Sequence, residues 1–464
     1  MNIAVIGAGY VGLTSAACLA EIGHQVTCAE SNTEKLELLQ RGGLPFYEPC
    51  LGPLVERNRQ IGSLAFTSTP AAIEKGEAIF ICVGTPPLDN GEADLTGIEA
   101  VARDIARYAR GYKLIIEKST VPVQTGRQLQ RHLGLYCRTG SPYDVASNPE
   151  FLREGSAVED FFHPDRIVVG VETSTAAQML EEVYRPILKQ EFVCPVHVSC
   201  HPQGQVPFLV TDINSAEMIK HASNSFLAMK ISFINLVADL CEAAGADIDK
   251  VADGIGLDRR IGSSFLRPGI GFGGFCFPKD LQSFVRIGEK FGLDFSLLKE
   301  VERINLRRAG QFVQKIKQEL WVLRGKKIGI WGLAFKPNTD DVRFAPSLAI
   351  VRNLLAEGAL VSAYDPQAAQ KAKAELSGIR YCNDLYEAVE GAEALLILTE
   401  WDEFRQADLK RVHALMERPL IADGRNLFSA EAVAACGFQY LGVGRSGAAP
   451  HEVTVLDGQE PARF

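Results

Sequence analysis

Short, almost wholly apolar runs at residues 3–6, 78–83, 114–117, 144–147 and 166–171 alternate with helical periodicity through the first 200 residues. Strands that are apolar on both faces, set between helices, predict a parallel sheet covered on both sides. Residues 192–210 carry two Cys and three Pro and read as a connection. The pattern then changes. Residues 212–245 hold one helical periodicity for about 30 residues, on the order of 45 Å at 1.5 Å per residue. Asp212 or Asn214 is the candidate cap and Gly245 the stop. Ile213, Ala216, Ile219, Ala222 and Phe226 predict that much of this helix is packed, as in a spine between domains or a subunit interface. A second helical stretch covers 281–323. From Lys326 the strand–helix rhythm restarts, with strands expected at 327–332, 360–365, 394–399, 420–422 and 439–443 and a helix at 347–357. The last dozen residues read as a loose tail.

The expected fold is therefore α/β, with two Rossmann-like doubly wound domains joined by a long central helix and a small helical domain. The boundaries expected are 1–200, 201–323 and 324–464, in keeping with a chain of 464 residues. Hydrophobic content of 47% and mean hydropathy of +0.03 are those of a globular protein. No apolar stretch reaches 18 residues, and the N-terminus enters a strand with no basic n-region, so neither a membrane span nor a signal peptide is expected. A cytoplasmic location follows as an expectation. Eleven scattered cysteines without a CxxC pair read as reduced thiols, with no disulfide framework and no metal site. A formal charge of −9 argues against nucleic acid as a partner.

Gly7-Ala8-Gly9-Tyr10-Val11-Gly12 lies between the first strand and the first helix. Gly7 permits the tight turn, Gly9 lets the backbone approach a pyrophosphate, and Gly12 lets helix and strand pack closely. A second strand, 25–29, ends at Glu30, 18 residues after Gly12. Its carboxylate suits ribose hydroxyls and repels a 2′-phosphate, which favours NAD over NADP. Read alone, the glycines also fit a turn that serves packing only.

The glycines of Gly269-Ile270-Gly271-Phe272-Gly273-Gly274 strip side chains from a loop, so that a ligand could lie against its backbone. Cys276 follows, with Pro278 placed for the first turn of a helix. A thiol near a helix N-terminus, with Lys279 beside it, is expected to have a lowered pKa. The competing reading of Cys276 is a buried small hydrophobe. Lys220 and Asn224, four apart, share one helix face, as a packed ion pair or as groups aimed at an oxyanion. Two polar clusters close strands of the first sheet: Lys118-Ser119-Thr120-Val121-Pro122 and Asn148-Pro149-Glu150-Phe151-Leu152-Arg153-Glu154-Gly155. Strand C-termini are where open α/β sheets bind ligands, although loop charges are also commonly solvated.

Together with Gly84-Thr85-Pro86, Pro164-Asp165-Arg166, Arg260-Ile261-Gly262 and Phe335-Lys336-Pro337-Asn338-Thr339-Asp340-Asp341, these motifs resemble the UDP-glucose/GDP-mannose dehydrogenase family, in family order over residues 1–345. The resemblance implies NAD-dependent, four-electron oxidation of UDP-glucose to UDP-glucuronate without a metal. Cys276 would carry thiohemiacetal and thioester intermediates, with Lys220 and Asn224 at the oxyanions and Asp280 assisting through water. Glu150, Glu154 and Thr120 would surround the sugar and the hydrolytic water. For NAD the implied residues are Gly7, Gly9, Tyr10, Val11, Gly12, Glu30, Lys35, Thr85, Thr120, Glu154, Lys279 and Arg343. For the UDP-sugar they are Glu150, Phe151, Leu152, Arg153, Glu154, Lys220, Asn224, Phe265, Leu266, Arg267, Pro268, Gly269, Gly273, Lys336 and Arg425. Arg260 would reach across a homodimer interface. Two positions depart from the family's usual residues: Glu30 stands where Asp is common, and Phe275 where Ser or Tyr is frequent.

Other readings remain at this stage. A sibling enzyme would act on GDP-mannose or a UDP-N-acetylhexosamine. A two-electron 3-hydroxyacid dehydrogenase would not need Cys276, and a silent nucleotide-sugar sensor would need none of the chemical groups.

Overall fold

A computed structural model of the chain describes residues 1–136, 140–198, 200 and 204–445; the tail expected at the C-terminus lies outside the described residues. The chain forms two compact units. The first comprises Met1–Phe226, Phe275–Leu298 and Asn338–Asp340, and the second Leu227–Gly274, Lys299–Pro337 and the chain from Asp341 onward.

The first unit is built on eight strands: β1 (Asn2–Ile6), β2 (Gln25–Ala29), β3 (Leu64–Thr67), β4 (Ala78–Ile81), β5 (Lys113–Glu117), β6 (Tyr143–Ser147), β7 (Ile167–Gly170) and β8 (Phe208–Thr211). Their order is β3-β2-β1-β4-β5-β6-β7-β8. β4 and β5 are buried at every position, as expected of strands covered on both faces. The strand order reverses between β1 and β4, and the crevice at their C-terminal ends is the place such sheets offer a ligand.

Three expectations need correction here. β6 and β7 pair antiparallel, through Ser147 and Gly170, so the sheet is not wholly parallel. β3 went unseen because its four residues alternate buried and exposed and do not form a wholly apolar run. The segment expected as a plain connection ends in the edge strand β8, which among the described residues pairs with β7 alone and leaves Leu209 and Val210 exposed.

The long helix runs Ile213–Ala244, 32 residues. Asp212 supplies the cap, accepting from the Ser215 N–H at 3.0 Å. Gly245, with φ +73°, ends it, and the Ala246 N–H reaches back to the Cys241 carbonyl. Contrary to the packing expectation, Ala222 and Phe226 are exposed in the single chain. The stretch expected at 281–323 is two helices, Cys276–Lys290 and Ser296–Leu320. Gly292, at φ +74°, turns the chain between them in a left-handed step that no helix interior accommodates.

In the second unit, β9 (Lys327–Trp331), β10 (Leu360–Tyr364), β11 (Arg380–Tyr381), β12 (Ala394–Ile397), β13 (Leu420–Asp423) and β14 (Gln439–Leu441) form a parallel sheet in the order β11-β10-β9-β12-β13-β14. The helix Pro346–Ala356 follows β9. The unit's core includes the fully buried Trp331 and Phe404, whose rings stack at 5.3 Å.

Candidate active site

The turn after β1 meets the requirements of a dinucleotide site. Gly7 has φ +101°, and a Cβ there would lie 2.8 Å from the Cys82 carbonyl oxygen. A Cβ on Gly12 would collide with the Gly7 carbonyl, whereas none of the surrounding atoms lies within 4 Å of one on Gly9. The middle glycine thus leaves its backbone open while the outer two are fixed by packing. The helix Tyr10–Glu21 starts here with free N–H groups suited to phosphate.

Glu30 sits beside this turn and accepts from the Ala8 N–H at 3.3 Å. Partial burial works to raise its pKa, but the N–H groups of Asn32 and Ser31 and the Lys35 ammonium, 2.9 Å away, outweigh it and hold the carboxylate below its ordinary range. A lasting negative charge at the end of β2 suits ribose hydroxyls. These residues fit NAD.

Tyr10 has a structural task. Its phenol is hydrogen-bonded to Glu48, and the Gly155 N–H donates to the Tyr10 oxygen at 2.9 Å and to Glu48 at 2.7 Å. Burial first, then Glu48, raises the Tyr10 pKa, so the phenol stays a donor. Val11 packs on the core beneath. The Glu48 side chain also accepts from Ala157 N–H at 2.7 Å, tying the glycine turn's helix to the 150–155 loop. Nothing in the local pattern around Glu48 marked it, because its partners lie 38 to 109 residues away. The buried Thr85 hydroxyl donates to the Thr120 carbonyl at 2.8 Å and joins the loops after β4 and β5.

A second cluster draws on three remote segments of the same unit. Lys220 Nζ lies 2.9 Å from Glu150 Oε1 and donates to the Glu150 carbonyl at 2.7 Å. Asn224 Nδ2 donates to Asp280 Oδ2 at 2.6 Å, and Lys279 Nζ is 2.8 Å from Asp280 Oδ1. Cys276 opens the helix that carries Asp280 one turn later, and its sulfur feels Asp280, Glu150, Lys220 and Glu154. Burial would lower the Lys220 pKa, but Glu150, Asp280 and Cys276 raise it, so the amine is a lasting cation. Burial likewise works to raise the Asp280 pKa, and Lys279, Lys220 and His221 together hold it below its ordinary value.

The thiol departs from expectation. Cys276 keeps partial solvent exposure, yet desolvation, then Asp280 and Glu150, push its pKa up to about 12 against the opposing pull of Lys220. Lys279 does not offset this, since its ammonium pairs with Asp280 and lies 5.7 Å from the centre of the Phe275 ring. A helix N-terminus and a nearby lysine therefore did not suffice to favour thiolate.

Around the cluster, Phe151 lies under the Arg166 guanidinium at 3.8 Å and 5.5 Å from Lys220 Nζ. The Leu152 N–H donates to Glu150 Oε2 at 2.6 Å, and Arg153 forks onto Asp160. His221, absent from the sequence reading, stacks on Phe284 and bonds the Val121 carbonyl at 2.8 Å. Its long-range partners left no local signal. Lys118 donates to Asn148 at 3.1 Å and lies near the Tyr184 hydroxyl, a buried network that fixes the loop ends.

The remaining expected residues lie in the second unit. An added Cβ at Gly269 would meet the Gly424 carbonyl at 2.8 Å, one at Gly274 the Phe335 ring at 2.7 Å, and one at Gly273 the Phe344 carbonyl. Packing within the unit thus requires glycine at these positions. Leu266 is buried in the core and Pro268 is buried beside it, so the Leu266 side chain is a packing group. Phe265 adopts φ +64°, and Arg267 faces Asp249 and Asp253, each at 3.8 Å. Arg425 donates to the carbonyls of Leu398, Gly271 and Phe335, which makes it a brace between loops. Arg343 forks onto Asp341, Lys336 lies 5.4 Å from the Phe335 ring centre, and the exposed Arg260 pairs with Asp258.

The chain matches three domain models of one family: UDP-glucose/GDP-mannose dehydrogenase family, NAD binding domain over residues 1–188, central domain over 214–307 and UDP binding domain over 329–430. It is 45% identical over 446 residues to UDP-glucose 6-dehydrogenase TuaD of Bacillus subtilis (strain 168), covering 96% of this chain and 93% of that protein. Among solved structures it is similar to a UDP-glucose dehydrogenase from Pyrobaculum islandicum, at 38% identity and TM-score 0.86 over 96% and 98% of the two chains. A UDP-D-ManNAc dehydrogenase from Pyrococcus horikoshii matches at 27% identity and TM-score 0.80, over 96% and 99%. With the nucleotide turn, the acid after β2 and the thiol cluster in place, the chain belongs to the UDP-glucose/GDP-mannose dehydrogenase family and is an NAD-dependent oxidoreductase.

Proposed function

We propose that the chain oxidises UDP-glucose at C6 to UDP-glucuronate, with Cys276 as nucleophile. The observation that carries this reading is the meeting of a thiol, an ammonium, an amide and carboxylates from residues 150, 220–224 and 276–280 in the unit that also holds the glycine turn. A two-electron dehydrogenase has no use for the thiol.

Two NAD molecules, bound in turn, would each accept one hydride. Cys276 Sγ adds to the C6 aldehyde carbon as the C=O π pair moves to oxygen, and the thiol proton passes through water to Asp280, since the free thiol is protonated at neutral pH. The oxyanion of that thiohemiacetal faces the Lys220 ammonium and the Asn224 amide, which Asp280 holds in place. Loss of the second hydride leaves a thioester. Water attacks it, the C–S bond breaks, and carboxylate and thiol are released. Glu150, Glu154 and Thr120 line the approach of that water, with Asp280 as a base through water.

NAD contacts are assigned to Gly7, Gly9, Tyr10, Val11, Gly12, Glu30, Lys35, Thr85, Thr120, Glu154, Lys279 and Arg343. The UDP-sugar is assigned to Phe151, Leu152, Arg153 and positions 265–269, 273, 336 and 425, with domains at 1–200, 201–323 and 324–464. A homodimer, with Arg260 crossing the interface, is supported by exposed apolar side chains along the long helix: Met218, Phe226, Phe233, Leu236 and Leu240.

The test is the NADH formed per UDP-glucose consumed: two supports the four-electron reading and one overturns it. The likeness to a UDP-D-ManNAc dehydrogenase keeps a second reading in play, a UDP-N-acetylhexosamine substrate. A panel of nucleotide sugars under the same NADH readout separates the two.

A further inference from the structure

We propose that His163, Cys194, His197 and Cys200 form a tetrahedral zinc site in the first unit, outside the oxidation chemistry. One ligand atom from each of the four residues lies within 4.8 Å of all the others. His163 Nε2 is 3.3 Å from Cys194 Sγ and 3.4 Å from Cys200 Sγ, and Cys194 Sγ is 3.6 Å from His197 Nδ1. Zinc binds sulfur at about 2.3 Å and nitrogen at about 2.0–2.1 Å, so a tetrahedral angle sets S and N about 3.6 Å apart. The three observed nitrogen–sulfur separations match edges of such a polyhedron. Two thiolates with two imidazoles suit zinc over harder oxygen-seeking cations. Four protein ligands leave no position for a substrate, which makes the site structural.

The surroundings support the ligand atoms. Glu159 Oε1 lies 3.3 Å from His197 Nε2, the nitrogen left free when Nδ1 binds metal. The His197 N–H donates to Cys194 Sγ at 3.3 Å. Such outer partners orient metal-bound histidines.

His163 follows the helix Ala157–Phe162, which begins directly after the loop of Glu150 and Glu154. The segment that supplies Cys194, His197 and Cys200 packs on the core through Phe192, whose ring lies 5.2 Å from that of Phe162, and Val196, whereas Val193 and Val198 are almost fully exposed. A metal clip would add a second tie to the end of that helix, beyond the Phe162–Phe192 contact. The sequence expectation of no metal site rested on the missing CxxC pair. The pattern here is Cys-x2-His-x2-Cys, with its fourth ligand 31 residues upstream.

Untagged full-length protein from cells grown with zinc, freed of loose metal by gel filtration, should carry about one zinc per chain by mass spectrometry of the metal. Cobalt(II) exchanged into it should give the intense visible bands of a tetrahedral site and a thiolate-to-cobalt charge-transfer band. The Cys194→Ser/Cys200→Ser variant should retain about tenfold less zinc and lose the charge-transfer band. A strong chelator should lower the Tm of the native protein while NADH formation persists below the transition. Native protein that retains no zinc and gives no tetrahedral cobalt spectrum overturns the proposal, whether or not the variant folds. So does a mapped Cys194–Cys200 disulfide in protein isolated without reductant.

Discussion

Lys220 and Glu150 form an ion pair at 2.9 Å in which the two side chains retain only 4% and 5% of their exposure. A pair so deeply placed is poor evidence of stabilisation by itself, because desolvating both charges offsets most of their attraction. Its consequence is positional. Lys220 also feels Asp280 and Cys276, so removing one charge unbalances the whole cluster.

Lys220→Ala is expected to lower kcat by roughly 10²-fold or more if the ammonium serves an oxyanion. It should also destabilise the fold by roughly 3–5 kcal/mol, since Glu150 is left buried and uncompensated. Steady-state kinetics with thermal unfolding checks both. A rise in KM alone would make Lys220 a binding residue.

Cys276→Ala should form no uronate, because no thioester can form, while the protein still binds NAD. Product analysis by chromatography decides. Full uronate output from this variant would exclude the covalent route.

The raised Cys276 pKa sets a pH dependence. With desolvation, Asp280 and Glu150 pushing it to about 12, the thiol of the ligand-free protein is protonated at neutral pH. Its alkylation by iodoacetamide, followed by peptide mass spectrometry, should climb steadily from pH 7 to 10. A plateau reached by pH 8 would contradict this environment. The linkage sign is that of a raised acid: folding leaves this group protonated where an unfolded cysteine ionises. Stability from it is full below the ordinary thiol range and is lost as pH rises towards about 12.

NADP should serve poorly, because Glu30 holds a lasting negative charge beside the Ala8 N–H. Replacing Glu30 by Ala should narrow the NAD/NADP ratio of kcat/KM by about tenfold or more. Equal use of both cofactors by the native protein would remove the role given to Glu30.

Much of this was legible along the chain because it is local. The turn Gly7 to Gly12, the strand ending before Glu30, the span of the long helix and the i, i+4 pair Lys220 and Asn224 follow from periodicity and backbone sterics over a few residues. The resemblance then gathered the remaining positions in order. Tertiary structure decided what depends on distant partners. It set the antiparallel pairing of β6 with β7, the Glu48 tie between two loops, and the packing that accounts for Gly273 and Gly274. It also reversed the expected direction of the Cys276 pKa, because desolvation and two remote carboxylates outweigh a helix terminus. The gathering of His163 with Cys194, His197 and Cys200 is of the same kind. Electrostatics and coordination act through space, and only the folded chain sets those separations.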